Sequence, residues 1–238
     1  MNGLAWAYTD LAQYEAAYSL HQQTLAVKRS VLGNEHHEML HSMHGLAWAY
    51  WRLGQYQEAL ALHQETLQIS KRILGPEYLD TLSSIDGLGW TQWTIGQYSK
   101  AVELFRTSLD VQKRIQGGKH LDTLYTMDGL AWGIWRLGRY KEATSLFQEI
   151  VDLNRIVLGP SHPDTVMTMY GVAWGHWRLG RYKTASELFR STLAVTTECL
   201  GARHPDTLLN HDGLAWCHWS FGEYDVALRL HWKILDHY

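Results

Sequence analysis

The stretch "DGLAWGIWRLGRY" at residues 128–140 places two tryptophans three residues apart and ends in Gly-Arg-Tyr. Closely similar stretches stand at residues 86–98, "DGLGWTQWTIGQY", and at residues 212–224, "DGLAWCHWSFGEY". The starts of the three stretches are separated by 42 and 84 residues. Similarity at a fixed spacing of this size is the signature of a repeat protein.

The 42-residue period runs through the whole chain without an insertion. The glycine of the motif recurs at Gly3, Gly45, Gly87, Gly129, Gly171 and Gly213. The first tryptophan recurs at Trp6, Trp48, Trp90, Trp132, Trp174 and Trp216, and the second at Trp51, Trp93, Trp135, Trp177 and Trp219. An alanine later in the unit recurs at Ala17, Ala59, Ala101, Ala143, Ala185 and Ala227. With Trp232, the two series account for all 12 tryptophans.

Each unit is predicted to be a pair of helices. One unit has a first helix over residues 122–137 and a second over residues 140–158, with Gly138 and Gly159 ending them. Glycine suits the positive φ that a helix end requires. The second helix carries an apolar stripe at a spacing of three and four residues, formed by Ala143, Leu146, Phe147, Ile150 and Leu153. One such pair cannot bury its apolar side alone, so the pattern predicts a stack of pairs, an α-solenoid.

The segment "GPSHPDT" at residues 159–165 is predicted to be the turn between units. Pro163 and Asp164 suit the first turn of the next helix, where a missing N–H is harmless and a negative charge meets the helix dipole. Histidine recurs in this turn once per unit, and we expect it to serve the start of the helix. These histidines are His120, His162 and His204.

The unit resembles the tetratricopeptide repeat. Leu130-Ala131, Gly138-Arg139-Tyr140 and Ala143 match that family's signature, and the 42-residue length with the linker from Leu158 to Thr165 is similar to the kinesin-light-chain type. One departure is Asp-Gly before the Leu-Ala pair, where that type usually has Asn-Asn. The resemblance implies an all-α fold, a right-handed solenoid of about six stacked antiparallel helical hairpins, with a concave groove that binds peptides.

We expect a single repeat domain over residues 1–238. Its units are predicted at residues 1–32 (partial), 33–74, 75–116, 117–158, 159–200 and 201–238 (partial).

The first helix has two opposite sides. At 100° per residue, Leu130, Ile134 and Leu137 fall on one side, which is predicted to face the second helix. Asp128, Trp132 and Arg136 fall on the other side, which is predicted to face the groove. The polar residues Gln92, His176 and His218 at the position of Ile134 are at odds with this rotation, and a turn of ~40° would bring the second tryptophan into the core.

Two interpretations of the tryptophans stay open: packing between helices, and contact with a ligand in the groove. The positions of Tyr125 and Arg136 vary between units, as an adjustable binding surface would. The groove candidates are Asp86, Asp128, Asp212, Trp48, Trp51, Trp90, Trp93, Trp132, Trp135, Trp174, Trp177, Trp216, Trp219, Arg52, Arg136 and Arg178.

One segment matches the HExxH pattern of zinc peptidases. His37, Glu38 and His41 have the spacing that puts two histidines on one helix face beside a general base, and His44 lies one turn on. Glu38, however, aligns with the helix-start acids Asp80 and Asp122 of other units. We therefore interpret the segment as a helix start, and assign no catalytic residue, cofactor or metal.

Composition excludes several classes of protein. The formal net charge of −3 offers no footprint for nucleic acid, and no apolar run is long enough to span a bilayer. The two cysteines, Cys199 and Cys217, make no disulfide framework, which indicates a cytoplasmic location.

The leading hypothesis is a non-catalytic scaffold that binds a protein or peptide segment, as a fragment or sensor part of a larger intracellular protein. The alternative is a structural protein that self-assembles, because neither end of the sequence has a polar capping helix, which solenoids normally need.

Overall fold

The computed structural model describes residues 2–11, 13–33 and 36–235. In this part of the chain there are twelve α-helices and no strand. The helices are α1 Asn2–Asp10, α2 Tyr14–Leu32, α3 His37–Arg52, α4 Tyr56–Ile73, α5 Leu79–Thr94, α6 Tyr98–Ile115, α7 Leu121–Arg136, α8 Tyr140–Val157, α9 Pro163–Arg178, α10 Tyr182–Leu200, α11 Pro205–Ser220 and α12 Tyr224–Leu235. None of them is both long and apolar enough to cross a bilayer.

The helices form two compact units, unit 1 over Met1–Ile115 and unit 2 over Gln116–Tyr238. Within each unit every helix packs on the next one along the chain, and the first helices of successive hairpins also touch: α1, α3 and α5 in unit 1, and α7, α9 and α11 in unit 2. Three-residue turns between the helices of a hairpin make them antiparallel neighbours. The predicted all-α solenoid of helical hairpins is confirmed.

Glycines mark the ends of ten of the twelve described helices, α2 to α11. Ten glycines with φ between 75° and 96° follow helix ends, from Gly33 to Gly222, and they lie 21 residues apart, half of the repeat. Gly138 has φ 79° and Gly159 has φ 96°, so each occupies the left-handed region that side chains disfavour. Their predicted role as helix ends is confirmed.

The linker between hairpins caps the helix that follows it. The Nδ1 atom of His162 accepts a hydrogen bond from the backbone N–H of Asp164 at 3.2 Å, while Thr165 Oγ1 donates to the carbonyl of Gly159 at 2.8 Å. Pro163 begins α9, where its missing N–H costs nothing. The same histidine cap is found at His36, His120 and His204. The expected role of the linker histidines at the helix start is confirmed.

Three of the five residues of the predicted apolar stripe, Ala143, Phe147 and Ile150, lie in the core, whereas Leu146 and Leu153 are half-buried. Leu130 and Ile134 of α7 are buried as well. The expectation for Leu137 was wrong, because that side chain is 38% exposed. Helix α7 ends at Arg136, and Leu137 occupies the cap, where its backbone N–H bonds back to the carbonyls of Gly133 and Trp135.

The histidine cap can be tested at His162. We expect His162→Ala to lower the free energy of unfolding by about 1 kcal/mol, because the N–H of Asp164 loses its acceptor. Urea unfolding followed by circular dichroism measures the change. His162→Asn keeps a side-chain acceptor and should lose much less; equal losses in the two variants would contradict the cap.

Candidate functional site

The first tryptophan of each repeat packs edge-on against a ring from the second helix of its own hairpin. The ring centroids of Trp132 and Phe147 are 4.8 Å apart, and those of Trp48 and His63 are 5.7 Å apart. Such edge-to-face pairs stabilise a fold beyond the area that they bury. The same pairing joins Trp6 to His21, Trp90 to Phe105, Trp174 to Phe189 and Trp216 to His231.

The second-helix ring is a repeat position that the sequence analysis missed. Its occupants are His21, His63, Phe105, Phe147, Phe189 and His231, each 42 residues after the last. The 42-residue period could have revealed this position. It was overlooked because the residue type changes between histidine and phenylalanine, although every occupant has an aromatic ring.

This ring also explains the glycine of the Asp-Gly motif. A Cβ built on Gly171 would stand 2.9 Å from the Phe147 ring, and a Cβ on Gly213 would stand 2.3 Å from the Phe189 ring. In unit 1 a Cβ on Gly45 would stand 2.2 Å from the ring of His21. The rings of His21, His63, Phe147 and Phe189 therefore each lie between the tryptophan of their own hairpin and the bare backbone of the next. We call this approach the ring–glycine contact.

In four repeats the residue four positions before the first tryptophan accepts the indole N–H. Trp48 Nε1 donates to His44 Nε2 at 2.9 Å, and the carboxylate of Asp128 takes hydrogen bonds from Trp132 and Thr168. Asp212 accepts from Trp216 in the same way. Asp86 is 5% exposed and accepts from Gln112 Nε2 at 2.9 Å. The aspartates proposed for the groove are thus bound within the fold.

Burial changes the charge that Asp128 presents. Removal from solvent, reinforced by the nearby Asp164, raises the pKa of the Asp128 carboxyl to about 7, despite the opposing hydrogen bonds from Trp132 and Thr168. Burial likewise raises the pKa of Asp212. At neutral pH, Asp128 is therefore only partly charged, and it is a weaker electrostatic group for a ligand than an exposed carboxylate.

The second tryptophan contacts the first helix of the next hairpin. Trp51 Nε1 donates to Thr94 Oγ1 at 2.9 Å in unit 1, and Trp177 Nε1 donates to Ser220 Oγ at 3.1 Å in unit 2. These hydroxyls stand at the repeat position that Arg136 occupies. The second tryptophan therefore takes part in packing between hairpins.

Where this position holds arginine, a stacked contact takes the place of the hydrogen bond. The guanidinium carbon of Arg178 lies 4.5 Å from the ring centroid of Tyr140 and 5.8 Å from that of Trp135, and Arg178 also bonds the Tyr140 hydroxyl. In unit 1 the guanidinium carbon of Arg52 lies 5.8 Å from the ring centroid of Tyr14 in the preceding hairpin. These distances are those of cation–π contacts.

We call the side of the first helices that carries the positions of Tyr125, Asp128, Trp132 and Arg136 the first-helix face, and describe it for each unit by itself. Its tryptophans are half-buried, apart from Trp216 and Trp219, which are 39% and 54% exposed. Arg52, Arg136 and Arg178 are exposed. Every pair of tryptophans thus packs within the fold and still leaves part of its surface in solvent.

The HExxH segment has the environment of a helix start. Glu38 pairs with Lys28 at 3.1 Å, which lowers the pKa of its carboxyl, the reverse of what a general base needs. His41 Nε2 lies 3.7 Å from an Asp80 carboxylate oxygen, and His37 is exposed at the first position of α3. Across the described residues, no group of three or more His, Cys, Asp or Glu is placed to hold a metal ion.

Comparison with known proteins gives a family and several solved folds. The profile of the tetratricopeptide repeat matches residues 1–72, 49–114, 96–154, 133–198 and 176–238. A kinesin light chain protein of Podospora anserina with nearly identical TPR-like repeats is 28% identical, with a TM-score of 0.69 over 83% of this chain and 93% of that one. No curated protein matches the sequence.

Two further solved structures share the fold at lower identity. The Rap conjugation gene regulator of plasmid pLS20, solved in complex with the Phr* peptide, is 14% identical, with a TM-score of 0.66 over 83% of this chain and 52% of that one. A signal transduction ATPase of Pyrococcus horikoshii with a tetratricopeptide repeat sensor is 15% identical, with a TM-score of 0.67 over 99% of this chain and 36% of that one.

The ring–glycine contact is tested by Gly171→Ala. The added methyl group meets the buried ring of Phe147, so we expect a loss of about 1–3 kcal/mol in the free energy of unfolding. Gly3→Ala is the matched control at the same motif position, because its Cβ would meet no atom within 4 Å. Denaturant unfolding of both variants measures the effect, and equal stabilities would refute a steric role for the glycine.

Proposed function

Since the chain belongs to the tetratricopeptide repeat family, we propose that it is a non-catalytic scaffold whose first-helix face binds an extended protein or peptide segment. The observation that carries the proposal is the row of part-exposed indoles, held in place by internal packing and flanked by side chains that differ between repeats. Tyr125 is 48% exposed beside Trp132, and the aligned residues are His41, Ser83, Met167 and Leu209.

Chemistry supports a peptide as the ligand. Indole edges and guanidinium groups suit the carbonyl, carboxylate and aromatic groups of a peptide, and the indoles are held by packing before the ligand arrives. The Rap regulator, which shares the fold, was solved with a peptide. The ATPase carries its tetratricopeptide repeats as a sensor, which supports the narrower proposal that this chain is the sensing part of a larger protein. The cytoplasm is the location that we propose for it.

Binding can be tested with a displayed library of short random peptides, selected on the folded chain. We expect selected peptides to lose about 1–2 kcal/mol of binding free energy on Tyr125→Ala or Arg136→Ala, as contact residues at the centre of an interface do. Fluorescence anisotropy with a labelled peptide measures the affinity, and a thermal melt verifies that each variant is folded.

Lys183→Ala is the matched control, because it removes one exposed positive charge from the second helix α10. Its affinity should equal that of the parent protein. If the control weakens binding as much as Arg136→Ala does, or if no peptide is selected, the proposed site is wrong.

A second candidate is self-association, with a second copy of the chain as the partner. In the hairpin α11–α12 the side chains of Trp219, Trp232 and Leu228 are each at least 54% exposed. Trp177, which stands at the repeat position of Trp219 in the preceding hairpin, instead donates its indole N–H to Ser220 of α11. In α1 a Cβ on Gly3 would meet no atom within 4 Å, whereas Gly45, Gly87, Gly171 and Gly213 at the same repeat position are each covered by a ring. The hairpin α11–α12 of one copy would then cover α1 of another.

Light scattering as a function of protein concentration tests this candidate. We expect the mean mass to rise with concentration, since head-to-tail contacts do not close unless their rotation allows it. Trp219→Ser with Trp232→Ser should keep the protein monomeric, because both indoles leave the exposed face. A mass that stays at that of one chain for the parent protein would exclude self-association.

A further inference from the structure

Three histidine rings lie together in the interior of unit 1. His21 of α2 and His63 of α4 are both 0% exposed, and His44 of α3 stands between them. The ring centroids of His44 and His63 are 5.6 Å apart, and Trp6 lies 5.4 Å from His21 and 6.3 Å from His44. Trp48 contacts both His44 and His63.

In unit 2 other side chains occupy the equivalent repeat positions. Phenylalanine replaces the two ring–glycine histidines at Phe147 and Phe189, and Asp128 and Tyr170 stand at the position of His44. His231 differs from His21 and His63, because it is partly exposed and pairs with Asp212 at 3.5 Å. A cluster of buried imidazoles is thus a property of unit 1.

The buried rings have no place for a second proton. Both nitrogens of His21, both nitrogens of His63 and Nδ1 of His44 are shielded from solvent without a hydrogen-bond partner among the described residues. Nε2 of His44 accepts from Trp48, so it is the unprotonated nitrogen of a neutral ring. An imidazolium carries two N–H donors and a charge, and it needs partners for both.

The surroundings of the cluster oppose a positive charge. Burial lowers the pKa of His21 and of His44 to about 4, and it lowers the pKa of His63 well below its usual value. Neighbouring histidines lower the pKa of His44 and of His63 further. Helix α1 presents Trp6, while α3 and α5 present Gly45 and Gly87 to the rings.

Two further titratable groups stand near the cluster. His41 of α3 lowers the pKa of His44 further, and Asp80 of α5 lines the same cavity of about 140 Å³ as His41 and His44. Asp80 lies 3.7 Å from His41, with which it pairs. The Asp80 carboxylate therefore lies beside the exposed ring of His41.

We propose that the cluster of His21, His44 and His63 is an acid-sensitive element that loosens the hairpins α1–α2 and α3–α4 as the pH falls, while unit 2 keeps its packing. The rings pack as neutral aromatic groups at neutral pH. Once protonated, they gain stability only by leaving the interior for water. If the first-helix face binds a peptide as proposed above, acidification would release whatever part of it unit 1 holds.

The pH range of the effect follows from the difference between the histidine pKa values in the unfolded chain and in folded unit 1. In the unfolded chain these histidines take up protons near pH 6.5, whereas His21 and His44 in the folded unit stay neutral down to about pH 4. The contribution of these histidines to the stability of unit 1 is therefore fully present above pH 6.5, and it is lost progressively between pH 6.5 and pH 4. His21 and His44 would each raise the unfolding constant of unit 1 by roughly two orders of magnitude across that range.

Hydrogen exchange of the full chain, followed by mass spectrometry at pH 7.5 and pH 5 with exchange times scaled to the intrinsic rates, resolves the two units. We expect α2, α3 and α4 to lose protection at pH 5 and α8, α9 and α10 to keep it. His21→Phe with His63→Phe, which copies the side chains of unit 2, should abolish most of the loss. The reciprocal Phe147→His with Phe189→His should transfer acid sensitivity to unit 2.

The histidine caps provide a control for the interpretation. One described cap lies in unit 1, at His36, and three lie in unit 2, at His120, His162 and His204. If acid acted through the caps, unit 2 would therefore lose more hydrogen-exchange protection than unit 1. If both units lose protection equally in the parent protein, or if His21→Phe with His63→Phe leaves the loss unchanged, the proposal is wrong. Should that double variant not fold, His63→Phe alone must reduce the loss in α4, or the proposal fails.

Discussion

The structure depends on the ring–glycine contact, in which an aromatic ring of one hairpin lies on the bare backbone of the next. The ring fills space that any Cβ would occupy, so the glycine and the ring require each other. The tryptophan of the same hairpin closes the other side of the ring, and the residue four positions before it takes up the indole N–H. The Asp-Gly-Leu-Ala-Trp pattern thus encodes a contact between neighbouring hairpins.

Packing and binding are compatible on the first-helix face. The backbone and half of each indole are held by internal contacts, which keeps the remaining surface rigid. The side chains that change between repeats, at the positions of Tyr125 and Arg136, lie around these fixed indoles. The position of Arg136 already takes two forms within the fold, a hydroxyl that accepts from the preceding tryptophan and an arginine that stacks on it. Variation at this position therefore changes the surface while contact between the hairpins persists.

The sequence predicted the helices, the turns and the buried side of the first helix at Leu130 and Ile134. These follow from local rules: glycines at a fixed spacing, proline and an acid at a helix start, and leucines on one side. Leu137 was misplaced because rotation angles ignore the point where α7 ends. The partners of the tryptophans were not predicted, because contacts between helices bring together residues such as Trp177 and Ser220 that are 43 positions apart. The Asp128 carboxylate was assigned to the groove from its helix face alone, and only burial revealed its bond to Trp132 and its raised pKa.

The even spacing of the left-handed glycines has an evolutionary consequence. Since neighbouring hairpins within each unit meet through the same kind of contact, and the glycines recur at the same spacing, one hairpin can stand beside another without new chemistry. Unequal crossing-over in the coding sequence would then add or remove whole hairpins in frame and leave both flanking interfaces intact. We therefore expect paralogous arrays of this kind to differ in length and in the residues of their exposed face. The contacts between their repeats should be retained.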